Sequence, residues 1–215
     1  MKTYNLIQRI YKLLYTTFGP QHWWPGDTPF EIMVGAILTQ NTNWRNVITA
    51  MNNIKKAGLL DPKKLLKHRR SIPRLIRPSG FYRLKTKRLF AFLRYYVNNY
   101  NGNTKNVKSQ TTEILRTELL AIPGIGHETA DSILLYAFVR PVFVIDIYTR
   151  RIFSRHNIFD YGLSYDAART IFENHLPKRV QLYNEYHALL VKLGKEYCKK
   201  NEPLCTTCPL RNLNV

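Results

Sequence analysis

Apolar residues at helical spacing run through the whole sequence and determine its fold class. Leu6, Ile10 and Phe18 belong to a series that recurs every three or four positions, which predicts an amphipathic helix over residues 4–18. The same periodicity predicts further helices at Phe30–Leu38, Thr42–Ala57, Pro62–His68, Arg83–Asn99, Glu113–Leu120, Glu128–Phe138, Ile147–His156, Tyr165–Leu176 and Gln181–Tyr197. The single strand-like run, Val142–Ile145, is too short to build a sheet. The sequence therefore predicts an all-α protein.

The charge balance indicates a polyanionic partner. The 215 residues include 33 Lys and Arg against 14 Asp and Glu, a formal net charge of +19. Neutralising phosphates releases counterions and drives binding, so such a charge favours nucleic acid. A basic surface that is merely solvated is the alternative.

The sequence excludes membrane-spanning and exported proteins. No segment approaches the roughly 20 uninterrupted apolar residues of a membrane span. Lys2, Arg9 and Lys12 interrupt the N-terminal apolar residues, which therefore lack the apolar core of a secretion signal, and we expect no such signal. We expect a cytoplasmic, nucleoid-associated protein.

A Pro-Gly-Ile-Gly turn joins two predicted helices within residues 113–138. Gly124 and Gly126 allow a phosphate to approach the backbone closely, and the second helix then directs its free amides at that phosphate. Ile125 is expected to point inward and hold the turn. The segment is a helix-hairpin-helix, a grip on the DNA backbone that does not depend on base sequence. An ordinary αα-corner with a glycine turn is the alternative.

A lone carboxylate follows about 20 residues later. Asp146 comes directly after the apolar run Val142–Ile145, at the N-cap position of the next predicted helix. It is either a helix cap only or a cap with a chemical role.

The hairpin followed by Asp146 resembles the endonuclease III superfamily of DNA glycosylases. Ile37–Thr42 and a cysteine loop at residues 198–208 extend the resemblance over roughly residues 25–208. It implies a six-helix barrel at residues 26–135 and a smaller helical domain built from residues 1–25 and 136–215. It also implies that double-stranded DNA lies in the cleft between them, with a damaged base flipped out. We expect a monomer, because that cleft needs no second chain.

The resemblance assigns chemistry to two positions. Asp146 matches the catalytic aspartate, which stabilises positive charge on the sugar as the N-glycosidic bond breaks. Bifunctional members carry a nucleophilic Lys where this chain has Glu128. A carboxylate cannot form an imine, so AP-lyase activity by the usual route is expected to be absent.

One branch resembles the chain in more detail, the 3-methyladenine DNA glycosylase III type. The shared features are the Gly-x-Glu-x-Ala-Asp sequence of the hairpin helix, the Trp-Trp-Pro segment, and residues 77–82. The resemblance implies a lesion pocket formed by Trp23, Trp24, Trp44 and Glu128. Indole faces would select a positively charged alkylated purine through cation–π attraction. Trp23 or Trp24 could instead seal the end of the barrel.

Further residues are expected to contact DNA. Gln40 matches the position that fills the hole left by the flipped base, although a buried capping amide is the alternative. The basic residues Arg83, Lys85, Lys87 and Arg88 are expected to share one face of a helix. The predicted DNA-binding set is Gln40, Gly124, Ile125, Gly126, His127, Thr129, Arg83 and Arg150.

The cysteine loop is incomplete. The family binds a [4Fe–4S] cluster with four cysteines, of which this chain has Cys198, Cys205 and Cys208; Asn214 occupies the fourth place. Three thiolates with an unusual fourth ligand are one possibility. A loop without a cluster, folded around Tyr197, Leu204 and Leu210, is the other.

The sequence leaves three functions open. The first is a monofunctional glycosylase for alkylated purines such as 3-methyladenine. The second is an endonuclease III-like enzyme for oxidised pyrimidines or for mismatched or deaminated bases. The third is a non-catalytic DNA-binding protein.

Overall fold

The computed structural model describes residues 2–23 and 26–213, and of residues 2–5 the backbone only. Every regular element in these ranges is helical, which confirms the predicted all-α class. The α-helices are α1 Lys2–Phe18, α2 Pro29–Leu38, α3 Trp44–Lys56, α4 Pro62–Lys67, α5 Ile72–Leu75, α6 Tyr82–Tyr100, α7 Thr112–Leu120, α8 His127–Ser132, α9 Ile147–Arg155, α10 Tyr165–His175 and α11 Val180–Glu196. Short 3-10 turns occupy Arg77–Ser79, Thr104–Val107 and Cys205–Thr207. None of these helices is both long and apolar enough to cross a membrane.

The chain divides into two compact units. Residues 24–140 form one, here called the barrel unit, and residues 1–23 with 141–215 form the other, the terminal unit. Each is described separately below.

Helix α2 forms the centre of the barrel unit. Thr28 caps its first turn by accepting a hydrogen bond from the Glu31 amide, and Pro29 has the fixed φ that suits a first helical position. From Glu31 to Leu38 nearly every side chain is buried. The helix packs against α3, α6 and α8, so it anchors the elements on which the hairpin rests.

A buried ion pair joins the two helices of the hairpin. Arg116 of α7 donates through Nε and Nη2 to the two carboxylate oxygens of Asp131 in α8, at 2.7 and 3.2 Å. The Asp131 side chain is fully buried. Immediately after Ser132 the helix continues as one π turn, Ile133–Ala137, rather than as the regular helix predicted through Phe138.

The terminal unit packs around α11. This helix contacts α9 and α1, and α1 also contacts α10. The core between them is aromatic: the rings of Phe143 and Phe172 stack with centroids 4.1 Å apart, and Tyr186 meets both edge-on. Aromatic pairs in such geometries add to the stabilisation from buried area alone.

Residues 142–145 form neither a helix nor a strand, and their side chains are buried. Side chains replace the missing sheet partner: the Phe143 amide donates to Glu173 at 2.9 Å, and the Ile145 amide donates to the Tyr165 hydroxyl at 3.2 Å. Buried amides need such partners. These bonds fix the segment that leads into Asp146.

We expect Arg116→Ala to lower the free energy of unfolding by about 3 kcal/mol, because removing one partner of a buried ion pair leaves a buried charge behind. Urea unfolding at neutral pH measures the effect. The matched control is Lys56→Ala, which removes an exposed cation in the same unit and should change the value by less than about 0.5 kcal/mol. Equal effects would mean that the Arg116–Asp131 pair does not hold the hairpin together.

Candidate nucleic-acid interface and active site

The hairpin turn has the geometry of a backbone grip. Gly124 has a φ of +88°, which side chains rarely allow, and a Cβ there would overlap Cγ of Arg88. Gly126 caps α8 with ordinary backbone angles and open space around it. Ile125 is buried, as predicted, and its amide donates to the Ile122 carbonyl at 3.0 Å. The turn therefore presents backbone rather than side chains to its surroundings.

Gln40 is tied to this turn. Its Nε2 donates to the Gly124 carbonyl and to the Thr129 hydroxyl, both at 3.0 Å, and its Oε1 accepts from Arg88. Thr129 is itself buried. The structure thus places Gln40 as a half-buried amide that braces the hairpin, the alternative that the sequence left open. The predicted DNA contacts of Gln40 and Thr129 stay predictions.

Asp146 caps α9 from a buried position. The carboxylate oxygen Oδ1 accepts from the Thr149 amide at 2.7 Å, as expected of an N-cap, and the residue is only 7 % exposed. Burial by itself would raise the pKa of this carboxyl. Interaction with His187 and the Thr149 amide outweighs burial and holds the pKa below its usual range. The group is therefore an ionised carboxylate in a largely dry site, where charge interactions are strong.

His187 and Trp23 accompany this carboxylate, and sequence analysis missed the first of them. His187 Nε2 lies 3.5 Å from Asp146 Oδ2. The Trp23 ring lies 5.6 Å from the imidazole, centroid to centroid, with the planes 33° apart. His187 is 41 positions beyond Asp146 in the chain, and nothing in the sequence signals their contact; only the packing of α11 on α9 creates it.

Comparison with known proteins decides the family. Residues 34–178 match the model of the HhH-GPD superfamily of base excision DNA repair proteins, which is more than half of the chain. A protein of Methanocaldococcus jannaschii with the provisional name DNA repair glycosylase is 48% identical over 211 residues, covering 97% of this chain and 95% of that protein. The chain belongs to the HhH-GPD superfamily.

Two further relatives agree with this assignment. Endonuclease III of Thermotoga maritima is 28% identical over 191 residues, which cover 86% of this chain and 81% of that protein. A crystal structure of H. pylori 3-methyladenine DNA glycosylase bound to 1,N6-ethenoadenine is also 28% identical and superposes with a TM-score of 0.76, covering 90% of this chain and 97% of the other. Family membership makes the chain a DNA glycosylase of base excision repair and confirms the resemblance inferred from the hairpin and Asp146.

The remaining predicted pocket residues of this HhH-GPD chain lie in the barrel unit or outside the description. Trp44 is the first residue of α3. Its ring packs over Gly35 of α2, where a Cβ would lie 3.5 Å from the indole. Glu128 is exposed in the first turn of α8. Trp24 lies outside the described residues. The assignment of all three to a lesion pocket stays a prediction.

The basic residues are distributed differently from the predicted face of α6. Lys85 is buried, which corrects its place on that face, and its ammonium donates to the Leu38 and Ser79 carbonyls at 2.7 and 2.6 Å. Burial, and then repulsion from Arg88, lower the pKa of Lys85 to about 8. Arg83 is exposed, as expected. Lys85 therefore binds the end of α2 to the turn before α6.

Two further residues of the predicted DNA-binding set bond within their own unit. Arg150 donates to the Leu163 carbonyl at 2.6 Å, and His127 Nδ1 lies 3.1 Å from Arg116 Nη2. Both bonds constrain the side chains, so any contact with DNA would have to share them.

Sequence analysis included Phe81 in residues 77–82 but assigned no role to its side chain. Phe81 has 68% of its surface exposed and a left-handed backbone, with φ at +44°. It directly precedes α6, whose second residue is Arg83.

Two arginines of α9 hold the cysteine loop at the end of the terminal unit. Arg151 donates to the Cys198 and Gly194 carbonyls at 2.7 and 2.9 Å, and Arg155 donates to the Lys199 carbonyl at 2.6 Å. These bonds anchor the cysteine loop to α9. Gly194 is needed in this arrangement, since a Cβ there would overlap the Tyr148 ring and push α11 away from α9.

The cysteine loop does not supply a four-thiolate site. Cys198 and Cys208 are buried and Cys205 is exposed, while Asn214 lies outside the described residues. Burial, and then the charges of the other two thiols, raise the pKa of Cys208 although the Leu210 amide donates to its sulfur. In the described part of the chain, no three Cys, His, Asp or Glu side chains converge on one ion. The chain has only three cysteines, so the donor set falls one thiolate short of the family's cluster.

The loop without a cluster fits the alternative only in part. Leu210 is fully buried and the Tyr197 ring packs 5.8 Å from that of Phe18, as that alternative expects. Leu204 is exposed, however, so its predicted place in the loop's core is wrong. A cluster on three thiolates stays a prediction.

Alanine substitutions at the two hairpin glycines should differ in their effect on the free energy of unfolding. Gly124→Ala should lower the free energy of unfolding by about 1–3 kcal/mol, because it forces a left-handed side chain against Arg88. Gly126→Ala should leave that free energy within about 0.5 kcal/mol of wild type, because its surroundings are open. Both should weaken binding to undamaged duplex DNA, because a methyl group holds the phosphate away from the backbone.

Urea unfolding and fluorescence anisotropy with a labelled duplex measure the two effects on the same preparations. Unchanged duplex affinity in Gly126→Ala would rule out phosphate contact at this turn.

Proposed function

We propose that this chain is a monofunctional DNA glycosylase that removes alkylated purines such as 3-methyladenine from double-stranded DNA. The observation that carries the proposal is the buried, ionised carboxylate of Asp146. It lies beside the His187 imidazole, which in turn lies beside the Trp23 ring. The likeness to a 3-methyladenine DNA glycosylase bound to ethenoadenine supports the same substrate class.

The chemistry suits a modest catalyst. An N3- or N7-alkylated purine carries positive charge, so its glycosidic bond is weak and the base leaves neutral. As that bond breaks, positive charge develops on the sugar, and the Asp146 carboxylate stabilises it. Water then attacks the sugar carbon, and the proton it loses passes to solvent or to a nearby base. Electron-rich indole faces favour the cationic base before it leaves.

The proposal excludes a lyase step through the hairpin helix. The position where bifunctional relatives carry their lysine holds Glu128 here, and a carboxylate forms no imine with the sugar. The three cysteine thiols take no part in this mechanism.

DNA binding is proposed to begin at the hairpin. The Gly124–Gly126 backbone and the start of α8 would hold a phosphate, and the exposed Phe81 would be free to insert among the bases. One chain supplies the hairpin, the aromatic rings and the carboxylate, so we propose that it acts as a monomer.

Base release from duplexes that each carry one defined lesion tests the substrate class. The panel comprises 3-methyladenine, 7-methylguanine, 1,N6-ethenoadenine, hypoxanthine, thymine glycol, uracil and a G·T mismatch, with strand breaks scored before and after alkali. We expect release of the alkylated purines, with breaks only after alkali treatment. Release of thymine glycol with breaks before alkali would instead favour the endonuclease III-like alternative and contradict the inference from Glu128.

Asp146→Asn should strongly slow base release while leaving duplex affinity unchanged, because the amide keeps the cap on α9 but loses the charge. A unit-charge pair at ~4 Å and an effective dielectric of ~20 is worth about 4 kcal/mol. The single-turnover rate should therefore fall by about three orders of magnitude. Asp160→Asn, an exposed carboxylate in the same unit, is the control and should keep full activity. Retained activity in Asp146→Asn would mean that a residue other than Asp146 stabilises the sugar cation.

His187→Asn should move the acid limb of the pH–rate profile to higher pH. In wild type the depressed pKa keeps Asp146 ionised at pH values below the usual carboxyl range. Without the imidazole, burial dominates and raises that pKa, so the carboxylate is protonated and activity is lost at a higher pH.

Single-turnover rates across the acid range measure this shift. His68→Asn, which changes an exposed histidine of the barrel unit, is the control and should leave the profile unchanged. If both profiles coincide with that of wild type, His187 does not set the ionisation of Asp146.

A further inference from the structure

The barrel unit contains a groove beside the hairpin that the proposed chemistry does not use. It has a volume of about 570 Å³ and lies along α6, between the turn that follows α4 and the loop at Pro123 and Gly124. Four cations line it: Arg69, Lys87, Arg88 and Arg94. The residues that line it include no carboxylate.

These cations have no neutralising partners within the described residues. Arg69, Lys87 and Arg94 form no ion pair with any described carboxylate. Arg88 gives one guanidinium nitrogen to Gln40, while its Nε is buried without a hydrogen-bond partner. Four like charges around one groove repel each other, so a bound anion would stabilise the arrangement.

Two of the four cations, Arg69 and Arg88, are partly fixed in place. The Arg69 guanidinium lies 5.6 Å from the centroid of the Phe90 ring, a cation–π distance. Arg88 packs directly beneath Gly124. The positive field extends into the protein, since Arg88 contributes to the lowered pKa of Lys85. Lys87 and Arg94 are exposed and accessible to a bound phosphate.

The walls of the groove are apolar between the charges. Leu84, Phe90, Ala91 and Pro123 line it, and Leu84 is 46% exposed. An inorganic anion makes no favourable contact with apolar walls, whereas a nucleotide presents both a phosphate and a flat base that can pack against them. The volume is within the range of about 300–1,000 Å³ that small-ligand sites occupy.

We propose that this groove binds an unpaired nucleotide of a DNA strand, with its phosphate on Lys87 and Arg94 and its base along Leu84 and Pro123. The groove adjoins the hairpin through Arg88, which contacts Gly124 on one side and lines the groove on the other. The inference rests on the proposed function in taking DNA as the partner. It adds a DNA-binding site beside the hairpin, with which it shares Pro123 and Gly124.

The test compares two DNAs and two double variants. The DNAs are an undamaged labelled duplex and the same duplex with a bulge of unpaired adenines in one strand. The groove variant is Lys87→Gln with Arg94→Gln, and the control is Lys56→Gln with Lys105→Gln. All four are exposed lysines or arginines of the barrel unit, so both variants lose the same charge and should fold.

The groove variant should bind the bulged duplex about 5-fold more weakly than wild type at about 0.1 M salt, because it no longer neutralises one single-strand phosphate. The slope of log affinity against log salt should become shallower by about 0.7 for the same reason. On the intact duplex, the groove and control variants should match each other. Equal losses for both variants on the bulged duplex would overturn the proposal.

A further titration with free dAMP distinguishes the source of the nucleotide. Binding of dAMP that disappears in the groove variant, without competition against the bulged duplex, would assign the groove to a free nucleotide and overturn a strand site. Competition between dAMP and the bulged duplex for wild type supports it.

The lesion panel keeps this inference separate from the proposed function. If wild type releases no base but the groove variant selectively loses affinity for bulged DNA, the glycosylase proposal is wrong and the proposed nucleotide site is supported. If wild type releases alkylated purines and the groove variant binds bulged DNA like the control, the nucleotide site is wrong and the glycosylase proposal is supported.

Discussion

The ionisation of one buried carboxylate is the constraint on which the terminal unit depends. Asp146 loses hydration on burial, which opposes its charge, and it stays ionised because the Thr149 amide and His187 compensate. Both partners need exact placement. The Thr149 amide is placed by the start of α9, and His187 is placed by the close packing of α11 that Gly194 permits. These two contacts therefore keep a single charge in a largely dry environment, where that charge acts most strongly.

The barrel unit has a different requirement, which is to keep the left-handed backbone of Gly124 in place in the hairpin turn. Gly124 needs a left-handed backbone and lies directly over Arg88, while Gln40 bonds to the turn, to Thr129 and to Arg88. A change in any one of these residues reaches the others. Lys85 extends the coupling to the end of α2 by binding the Leu38 carbonyl. The hairpin is thus braced from α2 and α6, in addition to its own Arg116–Asp131 pair.

In the proposed reaction, a single carboxylate acts without a lysine in the hairpin helix. Electrostatic stabilisation of the developing sugar cation would supply a few kcal/mol, which would suffice for a base that is already a good leaving group. Positively charged purines meet that condition, and the Trp23 ring beside His187 offers the electron-rich surface that such bases favour. The proposed substrate class follows from this match between catalyst strength and leaving group.

Local spacing in the sequence was enough to predict the all-α class, the hairpin and the cap position of Asp146, through helical periodicity, a glycine turn and one carboxylate before a helix. The family was inferred from the resemblance that these motifs carry. Only the folded structure shows which groups the buried polar side chains bond to. His187 meets Asp146 across 41 residues, and Gln40 bonds to a turn 84 residues away. Lys85 turns inward although Leu84 and Lys87 on the same helix are exposed. No local pattern encodes these contacts, since they arise only when separate helices pack and bury polar groups that then need partners.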